Sequence, residues 1–242
     1  QPAGRRGGVE RQPVGADAGR LVLEHGDEVV LRPAVGHDHH AEGGVAQQVD
    51  TGNTGDCKAV ADFDGNGYVD GAVGGAQLAW YAFGANPAAV PVRNVIANAK
   101  VEFSTDCQAV DVDRDGDTDL VVPDSTELFW FANPGGAATG TWTATKIGTP
   151  GNWSHDVEVG DVDADGLVDV LTRREGATEL WLQSSPTSWT RRQISSQSGE
   201  GSALGDVDGD GDLDVVAGAT WLEHPADISA AWPAHPISAV SA

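Results

Sequence analysis

Short apolar runs alternate with stretches rich in Asp and Gly along most of this chain, and the alternation recurs. An apolar run (CQAV before Asp111, VEVG before Asp161) leads into an acidic stretch, and a β-branched run follows it (DLVV, DVLT, DVVA). Runs of this length, bounded by turn residues, predict strands, and each pair predicts a hairpin with the acidic stretch at its tip. An aromatic run comes next (LAWYAFGANP, LFWFANP, ELWLQSSP, TWLEHP). A fourth run then ends in Ile: Trp142 to Ile147, Trp189 to Ile194, Trp232 to Ile237, with a degenerate copy ending at Ile96.

The acidic stretches fix the period. ADFDGNGYVDGAVGG, VDVDRDGDTDLVVPD, GDVDADGLVDVLTRR and GDVDGDGDLDVVAGA begin their loops at Asp62, Asp111, Asp161 and Asp206, in steps of 49, 50 and 45 residues. Four strands in such a period make one blade, so the expected fold is all-β: a β-propeller of four-stranded antiparallel blades, four of them complete. The blades fall at about 46–98, 99–149, 150–197 and 198–242. Four units could close on themselves or form an arc of a larger ring, and the arc is the expectation here. Trp80, Trp130, Trp181 and Trp221 occupy matching places in the aromatic strand. One Trp per repeat suits packing between twisted sheets better than a ligand platform.

Residues 1–45 break the pattern. They hold five of the 14 basic residues (Arg5, Arg6, Arg11, Arg20, Arg32) and no blade signature, although Leu21 to Arg32 could make one or two strands, the remnant of a preceding blade. The rest of this leader is expected to be irregular or disordered. Its His37, Asp38, His39 and His40 could hold a transition metal, but an exposed polar loop is the simpler reading.

The loops follow D-x-[DN]-x-[DN]-G-x-x-D, in which the first, third, fifth and ninth side chains converge and the seventh residue offers its carbonyl. A hard divalent cation wants six to eight oxygens, and this spacing supplies them. The ligand sets are Asp62, Asp64, Asn66, Tyr68 and Asp70; Asp111, Asp113, Asp115, Asp117 and Asp119; Asp161, Asp163, Asp165, Leu167 and Asp169; and Asp206, Asp208, Asp210, Asp212 and Asp214. Glycines 67, 116, 166 and 211 permit the bend. As plain polar turns, these loops would crowd three or four carboxylates together with nothing to offset their repulsion.

Charge agrees with stored cations. The chain has 14 Lys and Arg against 37 Asp and Glu, a formal charge of -23, which excludes a phosphate-backbone binder and hence nucleic acid as a partner. Four Ca²⁺ would bring it to about -15 by charge counting. No apolar run is long enough to enter a membrane as a spanning helix. The start, Gln1 with no Met anywhere, fits a processed chain or a fragment. Cys57 and Cys107 lie at nearly equivalent points of adjacent repeats, where both an inter-blade disulfide and two buried thiols are open.

These motifs resemble the FG-GAP or VCBS repeats of integrin α-chain propellers and of secreted bacterial proteins. Residues 46–242 carry the resemblance, GDVDGDGDLDVV at Gly205 to Val216 comes close to a consensus copy, and LFWFANP and TWLEHP resemble the W-x-E-N-P strand of the bacterial branch. The resemblance implies structural calcium between the first and second strands of each blade and a ring usually larger than four blades. Loops of this openness suit the millimolar calcium outside cells, so a secreted or extracellular-surface location is expected.

Family membership leaves function open, because such members serve adhesion, sugar binding and catalysis on sugars. The loops leading into the first strands should surround the channel on the face opposite the calcium loops, bringing Asp56, Asp106, His155, Asp156 and Glu200 together, with Arg173 and Arg174 projecting beside them. Such a rim could bind sugar hydroxyls, a second cation or a basic partner, and the paired arginines a carboxylated or sulfated sugar. Solvated loop charges are the plain alternative. The expectation is a recognition or adhesion module for a polysaccharide or surface protein. The alternative is a polysaccharide lyase or sugar-processing enzyme, with His155 as base and Arg173 as charge neutraliser. No G-x-S-x-G, H-E-x-x-H or Cys-His pattern is present, and Asn152-Trp153-Ser154 is a glycosylation sequon.

Overall fold

The computed structural model describes residues 21–23, 29–31, 55–86, 88–98, 106–151 and 153–237. The leader's histidine cluster and the sequon residue Asn152 lie outside them. Strands β1 (Leu21–Leu23) and β2 (Val29–Leu31) pair antiparallel as a two-stranded sheet.

Everything else described is built from four-stranded antiparallel sheets, with no helix among the described residues. The first blade holds β3 (Cys57–Ala61), β4 (Asp70–Gly74), β5 (Gln77–Ala82) and β6 (Val92–Asn98). The second holds β7 (Gln108–Val110), β8 (Asp119–Asp124), β9 (Glu127–Ala132) and β10 (Thr143–Gly148). In the third are β11 (Ser154–Gly160), β12 (Asp169–Arg174), β13 (Ala177–Ser185) and β14 (Ser188–Ser195). The fourth has β15 (Ser202–Gly205), β16 (Asp214–Ala217), β17 (Thr220–Leu222) and β18 (Ala234–Pro236). Each acidic loop joins the first and second strands of its blade.

The first strands are neighbours in sequence order, β3 beside β7, β7 beside β11, and β11 beside β15. The sheets follow one another as an arc and are not closed into a ring. Burial explains the strand composition: β4 and β8 are buried along their whole length, and β8 lies between the apolar clusters shared with the first and third blades. The outer strand β6 is largely exposed.

Apolar clusters fill the spaces between blades. Leu78 and Trp80 of the first blade meet Leu120, Val122 and Phe131 of the second. Val121, Leu128 and Trp130 meet Val157, Val170 and Trp181 of the third. Leu171, Leu180 and Leu182 meet Val215, Ala217 and Leu222 of the fourth. This order corrects the expected Trp stripe. Trp80, Trp130 and Trp221 pair with Ala72, Val121 and Val216, each two residues past the last loop Asp. The residue paired at that place in the third blade is Leu180, opposite Leu171, while Trp181 pairs with Val170. A one-residue offset turns a strand side chain to the other face. Trp181 therefore packs back toward the second blade, where Gly148 leaves room: a Cβ there would lie 2.0 Å from the indole ring.

Of the two readings open for the cysteines, the structure has the disulfide. Cys57 opens β3, Cys107 stands just before β7, and their Cα atoms are 5.1 Å apart. The bond links the first two blades at their inner strands.

Candidate functional site

The acidic loops share one scaffold, assembled by their own carboxylates. The sixth-position N–H donates to the first Asp in every loop: Gly67 to Asp62 at 2.8 Å, Gly116 to Asp111 at 3.0 Å, Gly166 to Asp161 at 2.9 Å and Gly211 to Asp206 at 3.2 Å. The fifth-position N–H donates to the third Asp, and the seventh to the fifth side chain, as in Tyr68 to Asn66 at 2.8 Å and Leu167 to Asp165 at 2.7 Å. Asp117 and Asp212 donate likewise to Asp115 and Asp210. The expected glycines take positive φ, and so does the fourth residue of each loop: Gly65, Arg114, Ala164 and Gly209. Two left-handed residues per loop keep the side chains turned inward.

The ninth aspartates have a further role that spacing alone does not reveal. Asp70, Asp119, Asp169 and Asp214 are buried at the head of the second strand. One oxygen of each accepts the N–H of the loop's second residue: Phe63 at 3.0 Å, and Val112, Val162 and Val207 at 2.9 Å each. The other accepts an N–H at the end of the third strand, from Phe83, Asn133, Gln183 or His224, at 2.8 Å in all four blades. Each ninth Asp thus fastens loop, second strand and third strand together.

Oxygen donors converge in all four loops. Ligand atoms of Asp62, Asp64 and Asp70, of Asp111, Asp113 and Asp115, of Asp161, Asp163 and Asp169, and of Asp206, Asp208 and Asp210 each lie within 4.8 Å of one another. Carboxylate oxygens so grouped fit a hard divalent cation and offer nothing soft to a thiophilic one.

The carboxylates register the crowding. Burial pushes Asp70 and Asp169 up to about 6 and Asp119 to about 7, and neighbouring loop aspartates add to the rise. Burial and adjacent Asp residues also raise Asp113, Asp163 and Asp208. Between the ordinary value of 3.8 and these native values, the metal-free native state binds more protons than the unfolded chain, so its stability falls as pH rises. In chelator, the chain is therefore expected to melt at a higher temperature at pH 5.5 than at pH 7.5. With calcium present the trend reverses, because the ion needs the ionised carboxylates. Melting curves across this range, with and without chelator, check both signs. Parallel curves would show that the loops take no cation.

On the opposite rim, the structure divides the expected ligand residues. Asp56 is exposed beside β3. Asp106 accepts the N–H groups of Cys107 and, in the next blade, Val157, both at 2.9 Å. Burial pushes it up to about 6 and pushes nearby Glu158 to about 7. Asp156 accepts the N–H of Gly201 at 2.8 Å, again one blade on. Both aspartates tie one blade to the next. Arg173, expected to face solvent, is 2% exposed and points its guanidinium at the carbonyls of Gly201 and Ser198. Gly199 and Gly218 leave space for it, since Cβ atoms there would fall 2.8 and 3.1 Å from the guanidinium. Arg174 pairs at 3.0 Å with the fully buried Glu179, which Arg191 also reaches. Neither arginine stands as a free anion receptor. His155 and Glu200 remain accessible, 3.4 Å apart, and the sequence reading missed Trp153, two residues before His155 and 40% exposed. Its signal was a Trp outside the strand pattern, just before the first strand of the third blade.

Fold and loops together define the class: a β-propeller whose blades carry acidic cation-type loops at one end. The FG-GAP-like repeat family matches residues 111–172 and again 161–217, so this stretch carries FG-GAP-like repeats. No curated protein matches it in sequence. Among solved structures, it is similar to one described as an Agrocybe aegerita lectin in specific recognition of non-reducing terminal N-acetylglucosamine. Identity is 16% and the TM-score 0.53, over 74% of this chain and 51% of the other. This likeness is one of fold, and the chain spans about half the length of that structure.

Proposed function

We propose that this chain is a calcium-stabilised, extracellular propeller module that recognises carbohydrate. The observation that carries the calcium part is the fourfold convergence of oxygen ligands within 4.8 Å at one blade end. Ca²⁺, when bound, neutralises the crowded carboxylates, and the loop N–H bonds hold those carboxylates in place to receive it. The Cys57–Cys107 bond supports an oxidising compartment. Carbohydrate is favoured because the same architecture serves a lectin.

The side chains left accessible on the rim suit that role. Trp153 presents an apolar ring face, while His155 and Glu200 offer a donor and acceptors for hydroxyl groups. The enzyme alternative has lost its charge neutraliser, because Arg173 is buried among backbone carbonyls. A surface-protein ligand would engage the same rim.

Native electrophoresis through gels containing neutral and acidic polysaccharides, with N-acetylglucosamine-terminated glycans as competitors, tests the reading. Retardation by one polymer is expected in calcium and not in chelator. Trp153→Ala with Glu200→Gln should weaken it about tenfold, the scale of an aromatic contact plus a charged hydrogen bond. Melting should change little, since both residues are exposed. Migration unaffected by every polymer would move the assignment to a protein ligand.

A further inference from the structure

Asn133 and Gln183 occupy equivalent places in their blades, and their side chains reach backward to the loop of the preceding blade. The Asn133 amide is 4% exposed and donates to Phe63 O in the first loop at 2.9 Å and to Thr118 O of its own loop at 2.9 Å. Gln183 is 2% exposed, donates to Val112 O in the second loop at 3.2 Å, and accepts from Val168 N of its own at 3.1 Å. Phe63 and Val112 are the residues whose N–H groups bind the ninth aspartates Asp70 and Asp119. Asn133 and Gln183 also give their own N–H groups to Asp119 and Asp169. The result is a continuous hydrogen-bonded relay. It runs from Asp70 through Phe63 and Asn133 to Asp119, and from there through Val112 and Gln183 to Asp169.

The relay stops at the fourth blade. His224 stands where the amides stand and gives its N–H to Asp214, but neither ring nitrogen has a hydrogen-bond partner. The ring lies edge-on to Trp232, with centroids 5.0 Å apart, and Nδ1 is 3.6 Å from Asp212.

We infer that Asn133 and Gln183 are positioning residues that couple neighbouring cation loops, so that the first three loops fill as a linked set and the fourth fills alone. The inference rests on the calcium reading above. A cation that fixes Asp119 also fixes the Asn133 backbone, and with it the amide holding the first loop between Asp62 and Asp64. A loop already ordered in this way loses less freedom on binding its own ion, and the coupling is reciprocal.

Calorimetric calcium titration of chains with two loops silenced tests it. With the third and fourth loops disabled by Asp161→Asn, Asp163→Asn, Asp206→Asn and Asp208→Asn, two ions should bind cooperatively, the second about fivefold tighter than the first. Adding Asn133→Leu, which keeps bulk and removes the donors, should leave two independent sites. With the first and second loops disabled by Asp62→Asn, Asp64→Asn, Asp111→Asn and Asp113→Asn, the remaining pair should bind independently. His224→Gln should then introduce cooperativity, a gain that damage to the fold cannot mimic. Independent filling of the first two loops, or cooperativity that survives Asn133→Leu, would overturn the coupling and leave the calcium reading standing. No calcium uptake by the unmodified chain would overturn both.

Discussion

Stripping calcium from this chain is expected to lower its melting temperature by about 15 °C. An ion bound only by the native state stabilises by mass action, so a site held at about ten times its dissociation constant contributes roughly 1.4 kcal/mol. Four such sites contribute about 6 kcal/mol, and a chain of this size shifts by about 2–4 °C per kcal/mol. The effect should be large because each ninth Asp fastens its loop to the head of the second strand and the end of the third. Loosening a loop therefore reaches the blade core. A melt in millimolar calcium against one in chelator, at pH 7.5, measures the shift, and coincident curves would remove calcium from the account.

Replacing Cys57 and Cys107 by Ala is expected to destabilise the chain by about 4 kcal/mol, the chain-entropy value for a loop of this length. The corresponding fall in melting temperature is about 10 °C. The bond closes 50 residues of separation, spanning most of the first blade, and joins blades that otherwise meet through the cluster of Leu78, Trp80, Leu120 and Phe131. Both sulfurs sit in residues with at most 2% exposure, so reductant should act on the unfolded chain and barely on the native one. Melting with and without reductant, with thiol alkylation followed by mass, tests this. Free thiols in the native, unreduced chain would contradict the crosslink.

What the sequence made legible was local. The loop ligands stand within nine residues of one another at fixed offsets, so convergence of Asp62, Asp64 and Asp70 follows from spacing and a permitted bend. Strand order within a blade was equally open to reading, because apolar runs and acidic turns alternate in the same order four times. What lay hidden depends on partners a blade away. Asp106 meets Val157, Asp156 meets Gly201, and Arg173 turns to carbonyls 25 and 28 residues further along. Charge patterning records that such groups exist but says nothing of the backbone they meet. Trp181 failed for another reason. Its motif aligns with Trp80 and Trp130, yet the third strand of its blade pairs one residue out of step, and only cross-strand pairing discloses which face it takes.

Native mass spectrometry of chelator-stripped chain, titrated with calcium, tests the central claim most directly. Four ions per chain are predicted, with one lost for each of Asp62→Asn, Asp111→Asn, Asp161→Asn and Asp206→Asn. A chain that takes up no calcium at millimolar concentration, or keeps all its ions when the four substitutions are combined, would contradict the claim.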